Sequence, residues 1–315
     1  FFGGFNRESS RIRTTRLGLS GTISTLLGRL TNLEDFSIEG NAFTGTLPPD
    51  VGTLVSLKSF LIGASQRYQR GRTVFLIGNK FTGSIPSTIG RLTSLERFDV
   101  SYNDLSSSLP DDFYDLEKLK YFGFDGSGFS GTISTLIGHL TNLEYFSIED
   151  SSFFGTISFI IGNLTSLKTL DISGNDLSGV IPNEFYDLER LVTFNCESNF
   201  LSGTISSLIS RLTDLEEFNV DKNFVNGTIP PTIANLTSLK EFWLSSNQLS
   251  GTLPDGLYTM DSLTQFTCSR NSLFGTISTS INRLSNLEWF YIDGNSFTGT
   301  IPDELARLNS ITWIK

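Results

Sequence analysis

Histidine and methionine occur once each in 315 residues, and cysteine only twice. That scarcity excludes a disulfide scaffold and a multi-ligand metal site, since a structural zinc takes four Cys or His ligands. It leaves a single imidazole, His139, for nucleophilic or acid–base catalysis. A Ser-His-Asp or Cys-His arrangement needs that ring in a pocket beside a nucleophile. His139 sits between Gly138 and Leu140 on an outer segment, and reads as a solvated surface residue. Cations are also short: 23 Lys and Arg face 33 acids, for a net charge of −10. Nucleic-acid affinity rests on clustered Lys and Arg, so no nucleic-acid partner is expected. No apolar run approaches the 18 or so residues of a membrane span. No glycine-rich turn carries the lysine of a phosphate loop, and no kinase motif occurs. Acid pairs such as Glu216-Glu217 read as a charged strand face without a cleft, not as a glycosidase couple. The expectation is a chain without enzymatic activity and without cofactor or metal.

What the chain does have is a period. Gly21-Thr22-Ile23-Ser24 recurs as Gly131-Thr132-Ile133-Ser134 and Gly203-Thr204-Ile205-Ser206. The glycine column falls at 21, 45 and 83, then every 24 residues to 299, with Ser107 its one non-glycine member. The Ile23 column is Ile or Leu in all twelve repeats, and the Leu30 column is Leu in eleven, Met260 being the exception. Fixed apolar columns at a fixed period are what stacked coils produce, each column forming a spine through the stack.

The spacing within one repeat assigns its parts. Phe36 and Ile38 alternate with polar Asp35, Ser37 and Glu39, which is a short strand with Phe and Ile inward. Asn41 follows, and recurs as Asn79, Asn103, Asn175, Asn199, Asn223, Asn247, Asn271 and Asn295. An amide that both donates and accepts can satisfy a buried turn, and stacked amides can form a ladder. Leu27, Leu30 and Leu33 are three apart, which suits a 3₁₀ or irregular outer segment better than a long helix.

These columns read L-x-x-L-x-x-F-x-I-x-x-N-x-F-x-G-x-I-P/S, which resembles the plant-type leucine-rich repeat with its L-S-G-x-I-P signature. Leu177-Ser178-Gly179-Val180-Ile181-Pro182 and Leu249-Ser250-Gly251-Thr252-Leu253-Pro254 carry it almost letter for letter. The resemblance covers residues 11–315. It implies an α/β fold: a right-handed solenoid (horseshoe) with a parallel sheet on the concave face. A second short sheet is expected at the G-T-I-S/P segments, and a 3₁₀ or irregular convex side. It further implies the ectodomain of a receptor-like protein or receptor kinase, or a secreted leucine-rich repeat inhibitor. Such a protein is extracellular or at the cell surface, with membrane attachment only through segments outside this chain. Three departures suggest a divergent branch. The strand leucine is mostly Phe, the proline is Ser in five repeats, and Ser127 and Ser151 replace two ladder asparagines.

A longer order runs through the chain. Phe113-Tyr114-Asp115-Leu116-Glu117 recurs as Phe185-Tyr186-Asp187-Leu188-Glu189, with a weaker copy at Leu257-Tyr258, so blocks of three coils repeat every 72 residues. This points to growth by duplication and carries no mechanism of its own. Cys196 and Cys268 share the Ile38 column three coils apart, about 14 Å at the strand spacing. That is too far for a disulfide, so both are expected to be buried thiols. One interval is irregular: removing fourteen residues near 64–77 restores the repeat. The excess reads as an idle surface insertion or a mis-joined exon rather than a functional loop. Residues 1–20 read as a partial N-terminal flank with a first strand, and 21–315 as the solenoid. The cysteine-bearing N-terminal cap usual in the family does not precede the first strand. The last repeat stops within a strand, as in a piece of something longer.

The columns of Glu34, Asp35, Ser37, Glu39 and Gly40 are expected to face solvent on the concave side. In complete repeats they collect 17 acids against seven bases. Tyr102, Tyr121 and Tyr145 form one aromatic cluster there, and Trp243, Trp289, Tyr291 and Trp313 a second. Exposed Trp and Tyr among charges are the usual anchors of a binding surface. Candidate ligand residues are Tyr102, Tyr121, Tyr145, Glu216, Asp221, Trp243, Trp289, Tyr291 and Asp293, for a protein, peptide or glycan of basic character. Asn163, Asn226 and Asn235 head glycosylation sequons. The alternative is an ice-binding solenoid. The column after the glycine is Thr in nine repeats, a regular array like the surface of ice-binding solenoids. Thr is also a good residue for any second sheet, and prolines interrupt the array.

Overall fold

The computed structural model describes residues 10–64 and 78–315. The insertion expected at 64–77, apart from Ala64, and the first nine residues of the N-terminal flank lie outside the described residues. Two compact units divide the chain, Phe1–Phe154 and Gly155–Lys315.

Both units are built from one coil, repeated. It opens with a three-residue strand such as Asp35–Ser37 or Glu217–Asn219. These strands pair in parallel with the same column opposite itself. In the first unit Phe36 lies opposite Phe60 and Phe60 opposite Phe98, so pairing stays in register across the irregular interval. In the second unit Phe194, Phe218, Phe242, Phe266 and Phe290 are opposite one another in turn. The register explains the strand phenylalanines. Rings one strand apart stack at 5.5 Å (Phe36–Phe60) and 5.7 Å (Phe60–Phe98), and meet at 5.5–6.0 Å along the second unit. Each aromatic pair adds about 0.5–1.5 kcal/mol beyond its area burial.

The coil then turns on its asparagine. Asn223 donates through Nδ2 to the Val220 carbonyl of its own coil (3.2 Å) and to the Cys196 carbonyl of the coil before (2.9 Å). Its Oδ1 accepts the Leu201 N–H at 2.9 Å. One amide thereby satisfies three buried backbone groups in two coils. Asn79, across the irregular interval, does the same for Ile62, Ile38 and Phe43.

A second short strand follows, such as Ala42–Gly45 or Phe200–Thr204. In these two coils it starts three residues before the glycine and ends at Gly or Thr, earlier than the expected G-T-I-S/P span. Glycine is required here twice over. Gly227 has φ +76°, and a Cβ on it would lie 2.8 Å from the Thr204 methyl of the preceding coil. The threonine column is thus the partner of the glycine column.

Five-residue 3₁₀ turns complete the coil, Thr25–Arg29 and Ser207–Arg211 among them, as the three-residue leucine spacing leads one to expect. Before each turn stands Pro or Ser, and both hold φ near −70°. Proline fixes that angle by its ring. Serine adopts it and accepts the N–H two residues on, as Ser206 does from Leu208.

The 72-residue order has a structural consequence after all. Tyr186 and Tyr258 are buried in the 3₁₀ turns of their coils. Their hydroxyls accept the backbone N–H of Ser206 and Ser278, each at 3.3 Å. Proline has no N–H to give. The coil after each tyrosine therefore carries Ser in the proline column.

Cys196 and Cys268 are buried and free, as expected, and burial pushes both thiols up in pKa.

Candidate functional site

The outward columns of the long sheet differ from expectation in one respect. The Ser37 column alternates outward, yet much of it is buried: Ser147 is 1% exposed, Asn219 0% and Thr267 7%. Small polar side chains in the middle column are covered by larger ones on both sides. Several also close on their own chain. The side-chain oxygens of Asp99, Asp171, Asn195 and Asn219 accept the N–H two residues on, at 2.9–3.1 Å. These residues shape the end of the strand and are not free for a ligand.

In the first unit the strands Arg97–Asp99, Tyr121–Gly123 and Tyr145–Ser147 lie side by side. Tyr121 and Tyr145 stack at 4.3 Å, nearly parallel, and the Arg97 guanidinium carbon sits 4.8 Å from the Tyr121 ring centre. The Tyr121 hydroxyl reaches Asp99 Oδ2 at 3.5 Å. Burial, then the nearby acids, raises the pKa of Tyr121 and Tyr102, so both phenols stay protonated donors. Tyr102 is held with φ +52°, and its ring lies where a Cβ on Gly126 would come within 2.6 Å of it. Burial lifts Asp99 to about 6, against the hydrogen bonds from Ser101 that lower it. Sequence reasoning placed these tyrosines together; the buried Asp99 and the Arg97 cap are what the structure adds.

In the second unit two outward columns run in register. One is Glu217, Glu241, Gln265, Trp289 and Trp313; the other is Asn219, Trp243, Thr267 and Tyr291. The aromatics come together: Trp289 and Tyr291 are near-parallel at 6.1 Å, and Trp243 lies opposite Thr267. Trp313 is open to solvent. On the strands beside these rings Trp243 Nε1, Gln265 Oε1 and Thr267 Oγ1 are buried without a hydrogen-bond partner. Buried polar atoms are nearly always paired, so three orphans on adjacent strands are unusual. Gln265 and Thr267 escaped sequence reasoning. Their only signal was neutrality, two uncharged residues on the strand between those of Trp243 and Trp289.

The acids around this step are uneven. Burial and then the charge of Glu241 raise Glu217 to about 7, and burial raises Asp221 to about 7. Glu216 is tied to Lys240 at 2.7 Å. Asp293 accepts the Ser269 hydroxyl at 2.5 Å and faces Lys315 at 3.4 Å; that hydroxyl above all lowers its pKa. Lys58, Lys120 and Lys222 likewise pair with Glu34, Glu96 and Glu197. Most bases of the face pair with neighbouring acids; among the described residues Glu217, Glu241 and Asp221 have no direct ion pair, with Lys240 and Lys222 acting on Glu241 and Asp221 at longer range.

His139 is exposed at the end of the turn Thr135–His139, and Asn163, Asn226 and Asn235 are all exposed. Among the described residues there is no group of His, Cys, Asp and Glu that could hold a metal ion. Nor is any helix among them long and apolar enough to cross a membrane.

Comparison with known proteins agrees with this architecture. The family model "Leucine Rich Repeat" matches residues 94–116, 166–188, 238–260 and 286–308. The chain carries leucine-rich repeats, and its repeats and fold are consistent with the plant type. No curated protein sequence matches it. Among solved structures, the Arabidopsis receptor kinase HAESA, in complex with the peptide hormone IDA and a co-receptor, is similar over 96% of the chain, with 27% identity and a TM-score of 0.80. A TDR receptor is similar over 97%, with 26% identity and a TM-score of 0.74. The chain spans only 52% and 59% of the lengths of those two. A plant ice-binding protein is similar over 82% of the chain and 79% of its own length, with 26% identity and a TM-score of 0.68. The leucine-rich repeat scaffold is thus one that serves ligand recognition in its structural neighbours.

Proposed function

We propose that this leucine-rich repeat protein binds a peptide or protein segment of basic character, outside the cell or at its surface, on the strand face of its second unit. The observation that carries the reading is the trio of unpartnered buried atoms, Trp243 Nε1, Gln265 Oε1 and Thr267 Oγ1, on adjacent strands next to that of Trp289 and Tyr291. An extended peptide that shifts the side chains covering these atoms supplies what they lack: carbonyls for Trp243 Nε1 and amide N–H groups for Gln265 Oε1. Flat rings beside them give contact area at low entropic cost. Glu217, Glu241 and Asp221 then favour Lys or Arg in the bound segment. A glycan offers hydroxyls to the same atoms but no cation for the carboxylates. HAESA, whose solved complex holds a peptide hormone, supports a peptide over other ligands.

The test pans a phage-displayed random peptide library against the protein, then titrates the enriched peptides by intrinsic tryptophan fluorescence. Enriched peptides are expected to be basic and to lose at least tenfold in affinity for a Trp243→Ala/Trp289→Ala variant of unchanged circular dichroism. Affinity that survives the double substitution sinks the reading.

A second reading has one observation in its favour: the threonine column is exposed from Thr22 to Thr300, on a chain similar to an ice-binding protein. Against it, Phe200, Phe224, Phe274 and Val180 are all exposed around that array, and rings standing among the threonines spoil a flat lattice match. Thermal hysteresis is expected to be absent. Hysteresis that a Thr228→Tyr substitution removes would establish the ice-binding reading instead.

A further inference from the structure

The two serines that interrupt the asparagine ladder each stand two residues before a phenylalanine, Phe129 and Phe153, that lines a cavity in the wall of the first unit. At Asn223 the amide bridges two coils and accepts a backbone N–H of the coil before. Ser127 and Ser151 have only a hydroxyl, one bond shorter. Both donate it to the Phe124 carbonyl, at 2.6 and 3.2 Å. They have no carbonyl arm to hold the preceding coil's second strand. There the short sheet parts. Its four strands end at Asp104–Leu105, the next begins at Ser130–Gly131, and a single bridge from Ser106 to Gly128 spans the interval. Ser107, the non-glycine of its column, is held at φ +88° beside the gap.

A cavity of about 580 Å³ opens at this parting. Phe122, Phe146, Ile137 and Ile148 of the apolar core line it. Phe153 reaches it too and is only half-buried, where Phe43, Phe81, Phe129, Leu177 and Leu201 of the same column are buried. Polar groups gather around it: Asp111, Tyr114, Ser130 and Ser134. The later 72-residue blocks serve as internal controls. In them the tyrosine hydroxyl takes the backbone N–H of Ser206 or Ser278, and asparagines occupy the ladder positions equivalent to 127 and 151. In the first block the side chain of Ser134 faces the Tyr114 hydroxyl and acts against the rise that burial gives its pKa.

We propose that this cavity binds a small, neutral, largely apolar molecule carrying one hydroxyl- or amide-type head. Its size lies in the range of small-molecule sites, about 300–1,000 Å³. Its aromatic and aliphatic walls fit an apolar body, and an unfilled apolar void is destabilising. The head group is assigned by the rim. Tyr114, Ser130 and Ser134 offer hydroxyls, and the Asp111 carboxylate opposes an anionic head.

The experiment titrates the whole chain with the neutral fluorophore N-phenyl-1-naphthylamine. Saturable one-to-one binding is expected. Ser127→Asn/Ser151→Asn, which restores the ladder, is expected to weaken it at least tenfold while raising or holding the denaturation midpoint, so misfolding cannot account for the loss. Ser130→Phe, at an exposed position on the rim, is expected to weaken it as much. Dodecan-1-ol should displace the fluorophore at a concentration at least tenfold below dodecanoate, and Asp111→Asn should narrow that difference. No saturable binding, or binding that survives both the ladder and the rim variants, overturns the site. Equal displacement by alcohol and carboxylate overturns the neutral head.

Discussion

Asn223 shows how much of a coil can depend on one side chain. Its amide holds the Cys196 and Val220 carbonyls and the Leu201 N–H, all buried. Leaving a buried polar group unpaired costs about 1–3 kcal/mol. Asn223→Ala is therefore expected to lower stability by about 1–3 kcal/mol or more, read from the urea midpoint by circular dichroism. Asn223→Ser should fall between wild type and Ala, because a hydroxyl can keep one carbonyl, as Ser127 keeps that of Phe124. A serine variant as damaged as the alanine would mean that the amide's accepting arm carries nearly all of the effect. The recurrence of this asparagine was plain in the sequence, and so was its role, because only an amide both donates and accepts in one plane. What the two serines open was not legible. A missing hydrogen-bond arm shows in a sequence, but the parting of two strands shows only in space.

The 3₁₀ turns illustrate the same limit one scale up. That Ser replaces Pro in five repeats, and that Tyr recurs every 72 residues, were both visible. Their connection was not, because it is a contact between adjacent coils through a phenol and a backbone N–H. It makes a prediction. Ser24→Pro is expected to be nearly neutral: it exchanges a cap hydrogen bond, about 0.5–2 kcal/mol, for reduced unfolded-state entropy, about 0.4–1 kcal/mol. Ser206→Pro also strips the donor from the buried Tyr186 hydroxyl and should cost about 1–3 kcal/mol more. In a Tyr186→Phe background that extra cost should vanish, and a double-mutant cycle on thermal midpoints reads it directly. Equal effects of the two proline substitutions would show that the tyrosine contact is incidental. The strand face had its own blind spot. Period-two alternation told which residues point outward, and did so correctly for Trp243 and Trp289. It did not tell that Asn219 and Thr267, also outward, are covered by their neighbours. Outward is a property of one strand, whereas exposure depends on the side chains of the strands beside it.

At the scale of the whole molecule the governing quantity is the acidity of the long sheet's outer face. Asp99 is lifted to about 6, and Glu217 and Asp221 to about 7, each chiefly by burial. In the unfolded chain these groups titrate near 4. Between pH 4 and 7 the folded state thus binds more protons than the unfolded one, and stability must fall as pH rises through that window. Asp293 acts the other way: its lowered pKa contributes stability above about 4 that is lost as the pH falls further. The thermal midpoint is therefore expected to be highest near pH 4 and to decline toward pH 8, and Glu217→Gln should flatten that decline. A midpoint that rises from pH 5 to 8 would show that these carboxylates are not desolvated as described. Ligand affinity should run in the opposite sense. The deprotonations that destabilise the free protein add negative charge around Trp243 and Gln265, where a basic peptide would neutralise it. Affinity for such a peptide should increase from pH 5 to 8 while the free protein's midpoint falls, and Glu217→Gln should weaken both trends. A peptide whose affinity is constant across that range, with the stability slope intact, would be bound away from these carboxylates.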